Sequence, residues 1–164
     1  LIKDWRPNIY FSFNLLAATL LTIQSVALAS WQAAAINGFW ILISALLLAK
    51  VKINFISISA TAYLSSSVMV LLFVAVTAFA VDVLFYYKLL AWSSAYFFCS
   101  SYLLFSAKCI STRAYLFANV YAAIALLPQL WITQNLPVFT LEIAWAGLSV
   151  VGIVKSYSNI HLID

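Results

Sequence analysis

Six apolar runs divide the chain, and each is closed by charges, a proline or a short polar cluster. A membrane-crossing helix needs about 20 apolar residues, and each run comes close to that length. Helices are therefore predicted at 9–29, 32–49, 58–80, 89–107, 114–131 and 137–154. Pro137 suits a first helical position, where its missing N–H has no helical partner to lose. Ile53–Ser57 reads as an extended lead-in or an extra helical turn. Lys3–Asn8 reads as an interfacial segment with Trp5 among the headgroups. "ALAS" (Ala27 to Ser30) resembles a signal-peptidase site, but the run before it exceeds the usual 7–15 or so residues of a signal core. It is read as an uncleaved first span. The chain opens on Leu1, so an initiator residue or tag is expected to have preceded it.

Composition narrows the class. Only 7% of residues are charged and 66% are hydrophobic, against roughly 25% charged in a soluble domain. A water-facing surface cannot be covered with so few charges. The expected fold is an all-α, polytopic membrane protein, a single membrane domain over 1–164. Three glycines and three prolines leave little loop material.

The net charge of +4 does not point to nucleic acid, because the basic residues form no patch. They fall singly or in pairs between the apolar runs and act as topology signals. With six spans and a cytoplasmic N-terminus, Lys3, Arg6, Lys50, Lys52, Lys108, Arg113 and Lys155 all lie inside. Lys88 alone lies outside, near Asp82. This positive-inside bias places the protein in a bacterial inner membrane with both termini cytoplasmic.

A weak internal repeat accompanies the charge pattern. "SWQAAAINGFWILISALL" (from Ser30) aligns with "TRAYLFANVYAAIALLPQ" (from Thr112) at an offset of 82, which sets Asn37 on Asn119. At the same offset Tyr63 meets Trp145 and Ala60 meets Glu142. Charge is exchanged between equivalent loops: the one at Ser30–Trp31 is neutral where its counterpart carries Lys108 and Arg113. Lys50 and Lys52 match the neutral Thr133–Asn135. Two tandem three-helix units insert in opposite senses, so two inverted repeats are expected, at 9–81 and 88–155, an architecture used by secondary transporters.

Few residues carry chemistry. Intramembrane serines and threonines, including Thr19, Thr22, Ser65–Ser67, Ser93, Ser94, Ser100 and Ser101, read as packing residues whose hydroxyls bond back to a carbonyl. Asn37 and Asn119 must find partners in hydrocarbon. They are either a clamp between helices or a pair of polar groups for a substrate. Pro128 removes a backbone donor and frees the Ile124 carbonyl, giving a kink or a hinge. Glu142 is the one glutamate, early in the sixth run. It serves as a proton, cation or ligand site, or it favours the helix N-terminus electrostatically. Gln134, Asn135 and Lys88 are its candidate partners, and Trp145 shares its helix face. Gln24 completes the candidate substrate-binding set of Asn37, Asn119, Glu142, Gln24 and Trp145.

No catalytic residues are expected, since HExxH, GxSxG, Walker and GxGxxG sequences are absent. Cys99 and Cys109 show no CxxC spacing and His161 is alone, so no metal site or cofactor is expected.

On "RAYLFANVYAAIALL" and "NLPVFTLEIAWAGLSVVGIVKSY" the second half resembles an uncharacterised family of small bacterial three-helix membrane proteins. The matching residues are Asn119, Glu142, Trp145, Ser149 and Gly152. The first half matches less, with Asn37-Gly38 retained and Ala60 and Tyr63 in place of the Glu and Trp. "LPQLW" (Leu127 to Trp131) is similar to the motif of SWEET and PQ-loop half-transporters, but it sits in the second helix of a triplet instead of the first, and no linker helix is visible. The resemblance implies a three-helix building block. The expected function is carriage of a small solute or lipid-like molecule. The rival is an accessory or scaffold subunit with partner helices or a second copy. Lipid or pigment binding through the 12 Phe, 9 Tyr and 6 Trp ranks third.

Overall fold

A computed structural model describes residues 7–51 and 59–158, which form six α-helices. They are α1 (Pro7–Ala27), α2 (Trp31–Leu48), α3 (Ala60–Thr77), α4 (Val83–Ser106), α5 (Thr112–Ile132) and α6 (Leu136–Ser158). All six are long and apolar enough to cross a membrane, so the chain is a polytopic α-helical membrane protein. Ile53–Ser57, Trp5, Lys3, Arg6, Lys52 and His161 lie outside the described residues.

The helix starts follow side-chain caps. Ser59 Oγ accepts from the Ala62 N–H at 3.0 Å, and Ser111 Oγ from the Ala114 N–H at 3.2 Å. Asp82 Oδ1 accepts from Leu84 and Phe85 at 3.1 and 3.0 Å. These bonds satisfy N–H groups that have no partner within the helix. Asp82 also explains why α4 starts earlier than the expected residue 89. Lys88 looked like a break, but it is exposed within the first turns of the helix.

Four helices end in one way. Ala29, Lys50, Lys108 and Gln134 take the left-handed conformation, with φ of 51°, 57°, 59° and 53°. After each, the chain folds back with a paired set of bonds. At the end of α1, Ser30 N–H donates to Ser25 O at 2.8 Å and Ala29 N–H to Val26 O at 3.0 Å. The same pattern follows α2, α4 and α5. This is the Schellman arrangement, which caps the last carbonyls. Glycine usually takes the left-handed position; here ordinary residues do.

Packing centres on α4 and α5, which carry most of the fully buried residues. Ala91, Ala122 and Ala123 are fully covered, and Ala33, Ala95 and Ala118 sit in the same cluster with Phe97, Phe98 and Leu126. Small residues let helix axes approach closely, which is how helices associate where lipid removes the hydrophobic drive. Along the second half, α4 packs on α5 and α5 on α6. In the first half α1 packs on α2, while α3 packs chiefly on α4. Ser66 Oγ shares a hydrogen bond with Tyr96 OH across that contact, and Tyr63 stacks on Tyr96. Gly152 of α6 lies against Leu116 of α5; a Cβ there comes within 3.1 Å of Leu116 Cδ1.

The two short neutral connections meet. Asn135 Nδ2 donates to Ser25 Oγ at 2.9 Å, and Thr133 Oγ1 to Ser30 Oγ at 3.3 Å. This seam ties the α1–α2 end to the α5–α6 end. Beyond it, Arg113 at the start of α5 donates to the Ser156 carbonyl at 3.0 Å and lies over the Tyr157 ring. Pro128 sits inside α5, and the helix runs through it without a break in its span.

Candidate functional site

Each inward polar residue of α6 falls on one stripe. Val138, Glu142, Trp145, Ser149 and Gly152 are spaced by three or four residues, the interval at which side chains share a helix face. Val138, Glu142 and Ser149 are buried. Trp145 Nε1 donates to Asn119 Oδ1 at 3.2 Å, so the stripe is turned towards α5.

The two asparagines are held alike. Asn37 Nδ2 donates to the Ala33 carbonyl and Asn119 Nδ2 to the Tyr115 carbonyl, each at 2.9 Å and each four residues back along its own helix. Their remaining carbonyl oxygens differ. Asn119 is 1% exposed and its oxygen is taken by Trp145. No described residue donates to Asn37 Oδ1. The two asparagines therefore do not bond each other across an axis: Asn119 clamps α5 to α6, while Asn37 keeps an open acceptor.

Asn37 lines a pocket of about 180 Å³ between α1, α2, α4 and α6. Asn37 and Trp40 line it from α2, Glu142 and Trp145 from α6, Phe98 from α4, and Tyr10 and Asn14 from α1. Asn37 and Glu142 each stand about 9 Å along their helices from ends on the same side of the bundle, so they share a depth. Asn14 Nδ2 is committed to Ser44 Oγ at 2.7 Å.

Glu142 is 5% exposed, and its Oε2 is fully buried without a hydrogen-bond partner. None of its expected partners bonds that oxygen. Gln134 Nε2 donates to the Trp131 carbonyl at 2.7 Å, Asn135 Nδ2 to Ser25, and Lys88 is exposed. The helix-terminus reading also fails. α6 has no acid in its first turn, and Glu142 lies beyond it, where the dipole effect has faded. A buried carboxyl with no partner is costly to hold as an ion. It calls for a proton, a cation or a donor that the described residues do not supply.

Of the five substrate-binding candidates, Asn37, Glu142 and Trp145 come together at the pocket. Asn119 stands behind it as the anchor of Trp145. Gln24 is half-buried and outside the lining. Pro128 lines a separate shallow hollow with Tyr87, Trp131 and Phe139. Tyr10, Asn14, Trp40 and Phe98 were not among the candidates. One signal could have found Trp40: it follows Asn37 by three residues, as Trp145 follows Glu142. Elsewhere some hydroxyls bond back as expected, Thr19 to the Leu15 carbonyl and Thr22 to the Ala18 carbonyl, both at 2.7 Å, whereas Ser94 Oγ is buried with no partner and Ser67 Oγ meets Tyr96 OH across helices at 3.5 Å.

Residues 87–159 match an uncharacterised protein family. The matched segment is less than half of the chain and covers nearly all of α4 with α5 and α6. It supports the likeness to an uncharacterised family and adds nothing for the SWEET and PQ-loop likeness. No curated protein and no solved structure matches. The pocket straddles the boundary of the match: Phe98, Glu142 and Trp145 fall inside it, and Tyr10, Asn14, Asn37 and Trp40 outside.

Proposed function

We propose that the chain is an inner-membrane protein with cytoplasmic termini that binds a small solute between α1, α2, α4 and α6 and carries it across the bilayer. The observation behind this reading is the unpartnered Glu142 carboxyl in an aromatic-lined pocket. A polar group in hydrocarbon without a structural partner is a functional candidate. The rival, an accessory subunit, needs such groups turned outward onto a neighbour. Asn37, Asn119 and Glu142 are instead 5%, 1% and 5% exposed.

The two oppositely inserted three-helix units belong to this proposal. The identical back-bonding of Asn37 and Asn119, at equivalent places in the repeat, supports them. The differing attachments of α3 and α6 show that any such units are not copies in packing. With Glu142 facing Ala60 in the alignment, a site at this position is one-sided.

The test is mass spectrometry of proteins and small molecules that co-purify in mild detergent. The expected result is a small molecule retained by the wild type and lost from Glu142→Gln. A stoichiometric protein partner with no small molecule overturns the proposal in favour of the subunit.

A further inference from the structure

The pocket joins one ionisable group to a wall of rings. The Glu142 carboxyl has a buried oxygen with no hydrogen-bond partner, and no lysine, arginine or histidine is among the lining residues to neutralise it. The indole N–H of Trp145 is taken by Asn119, and one amide N–H of Asn37 by the Ala33 carbonyl. Around Glu142 and Asn37 stand four aromatic rings, Tyr10, Trp40, Phe98 and Trp145.

Aromatic faces attract cations through their negative quadrupole, and the attraction grows when the cation is stripped of water. A carboxylate adds a charge-assisted hydrogen bond. Anions are disfavoured by both features. A neutral solute brings no charge to compensate the buried carboxyl. A bare metal cation prefers a shell of about six or more oxygens, which aromatic walls do not offer. Size sets a further limit: a cavity of about 150 Å³ holds a benzene, so about 180 Å³ suits a ring-sized group with a short arm.

We infer that this pocket takes an organic ammonium, with its charge at Glu142 and Asn37 and its alkyl or aryl part among Tyr10, Trp40, Phe98 and Trp145. The inference rests on the solute-binding reading above and names its substrate class.

The full chain in lipid nanodiscs is titrated with benzylammonium, benzyl alcohol and phenylacetate, with empty nanodiscs subtracted for partitioning into lipid. Benzylammonium is expected to bind at least about tenfold more tightly than benzyl alcohol, with phenylacetate weakest. Glu142→Gln is expected to erase that preference and leave benzyl alcohol binding in place. Equal or tighter binding of benzyl alcohol by the wild type overturns the ammonium assignment and leaves solute binding standing. Absence of saturable binding for all three probes, with no co-purifying molecule, overturns both. The wild-type comparison stands even if the variant fails to fold.

Discussion

Two residues three positions apart on α6 do different work. Glu142 is a buried acceptor with no donor, and Trp145 is a donor that satisfies a buried acceptor. The chemistry of their replacements should differ in sign. Replacing a buried unpaired carboxyl with a hydrocarbon removes a desolvation cost. Glu142→Leu is therefore expected to stabilise the ligand-free protein by roughly 1–3 kcal/mol while abolishing retention of the co-purifying molecule. Thermal unfolding in detergent alongside the mass spectrometry measures both; a destabilised variant would make Glu142 a structural residue. Trp145→Phe keeps a ring but strands Asn119 Oδ1, and a loss of about 1 kcal/mol is expected. An Asn119→Leu, Trp145→Phe double variant should recover part of it, because the stranded acceptor goes too.

The residue-level pattern was partly open to sequence reasoning. An asparagine and a glutamate in apolar runs announce themselves, since each is expensive there. Which of them is satisfied did not follow, because that depends on the neighbouring helix. Asn37 and Asn119 carry the same local bond and differ only in what Trp145 does. Trp40 and Phe98 stayed hidden among many aromatics; only the three-residue spacing from Asn37 distinguished Trp40.

At the level of elements, the helices end on left-handed turns filled by Ala29, Lys50, Lys108 and Gln134. A side chain in that conformation costs roughly 1–2 kcal/mol that glycine escapes. Ala29→Gly should therefore raise stability by about 1 kcal/mol, read as a higher unfolding midpoint in detergent. No change or a fall would mean that the turn is not strained there. At the α5–α6 contact the outcome reverses. Gly152 faces the flexible end of Leu116, so alanine requires only a small shift. Gly152→Leu should cost about 1–3 kcal/mol by overpacking, and a Leu116→Ala change made with it should restore part of the loss. Helix number and order were legible because spans have a required length. The early start of α4 was missed because the charge of Lys88 marks a break between apolar runs, whereas an aspartate cap and an exposed lysine are compatible with a helix. The packing of α3 on α4 was not legible, as apolar runs carry no record of which neighbour they meet.

For the whole molecule, the proposed orientation rests on the distribution of basic residues. Single cysteines placed at Gln134 and at Lys50, after Cys99 and Cys109 are changed to serine, are expected to react with an impermeant thiol reagent from opposite faces of the membrane. Gln134 should label in whole spheroplasts and Lys50 only after lysis. Labelling of both from one face would remove the six-span topology.

The seam between the first and last connections has a consequence for biogenesis. Ser25 and Ser30 leave the ribosome long before Asn135 and Thr133, their partners at separations of 110 and 103 residues. Until the α5–α6 connection has emerged the seam cannot form, and until α6 has inserted Trp145 cannot reach Asn119 and one wall of the pocket is missing. A chain halted after α5 would thus span the membrane with the Asn119 carbonyl oxygen unpaired and the pocket open on one side. Insertion of the last helix satisfies Asn119 and completes the pocket in one event.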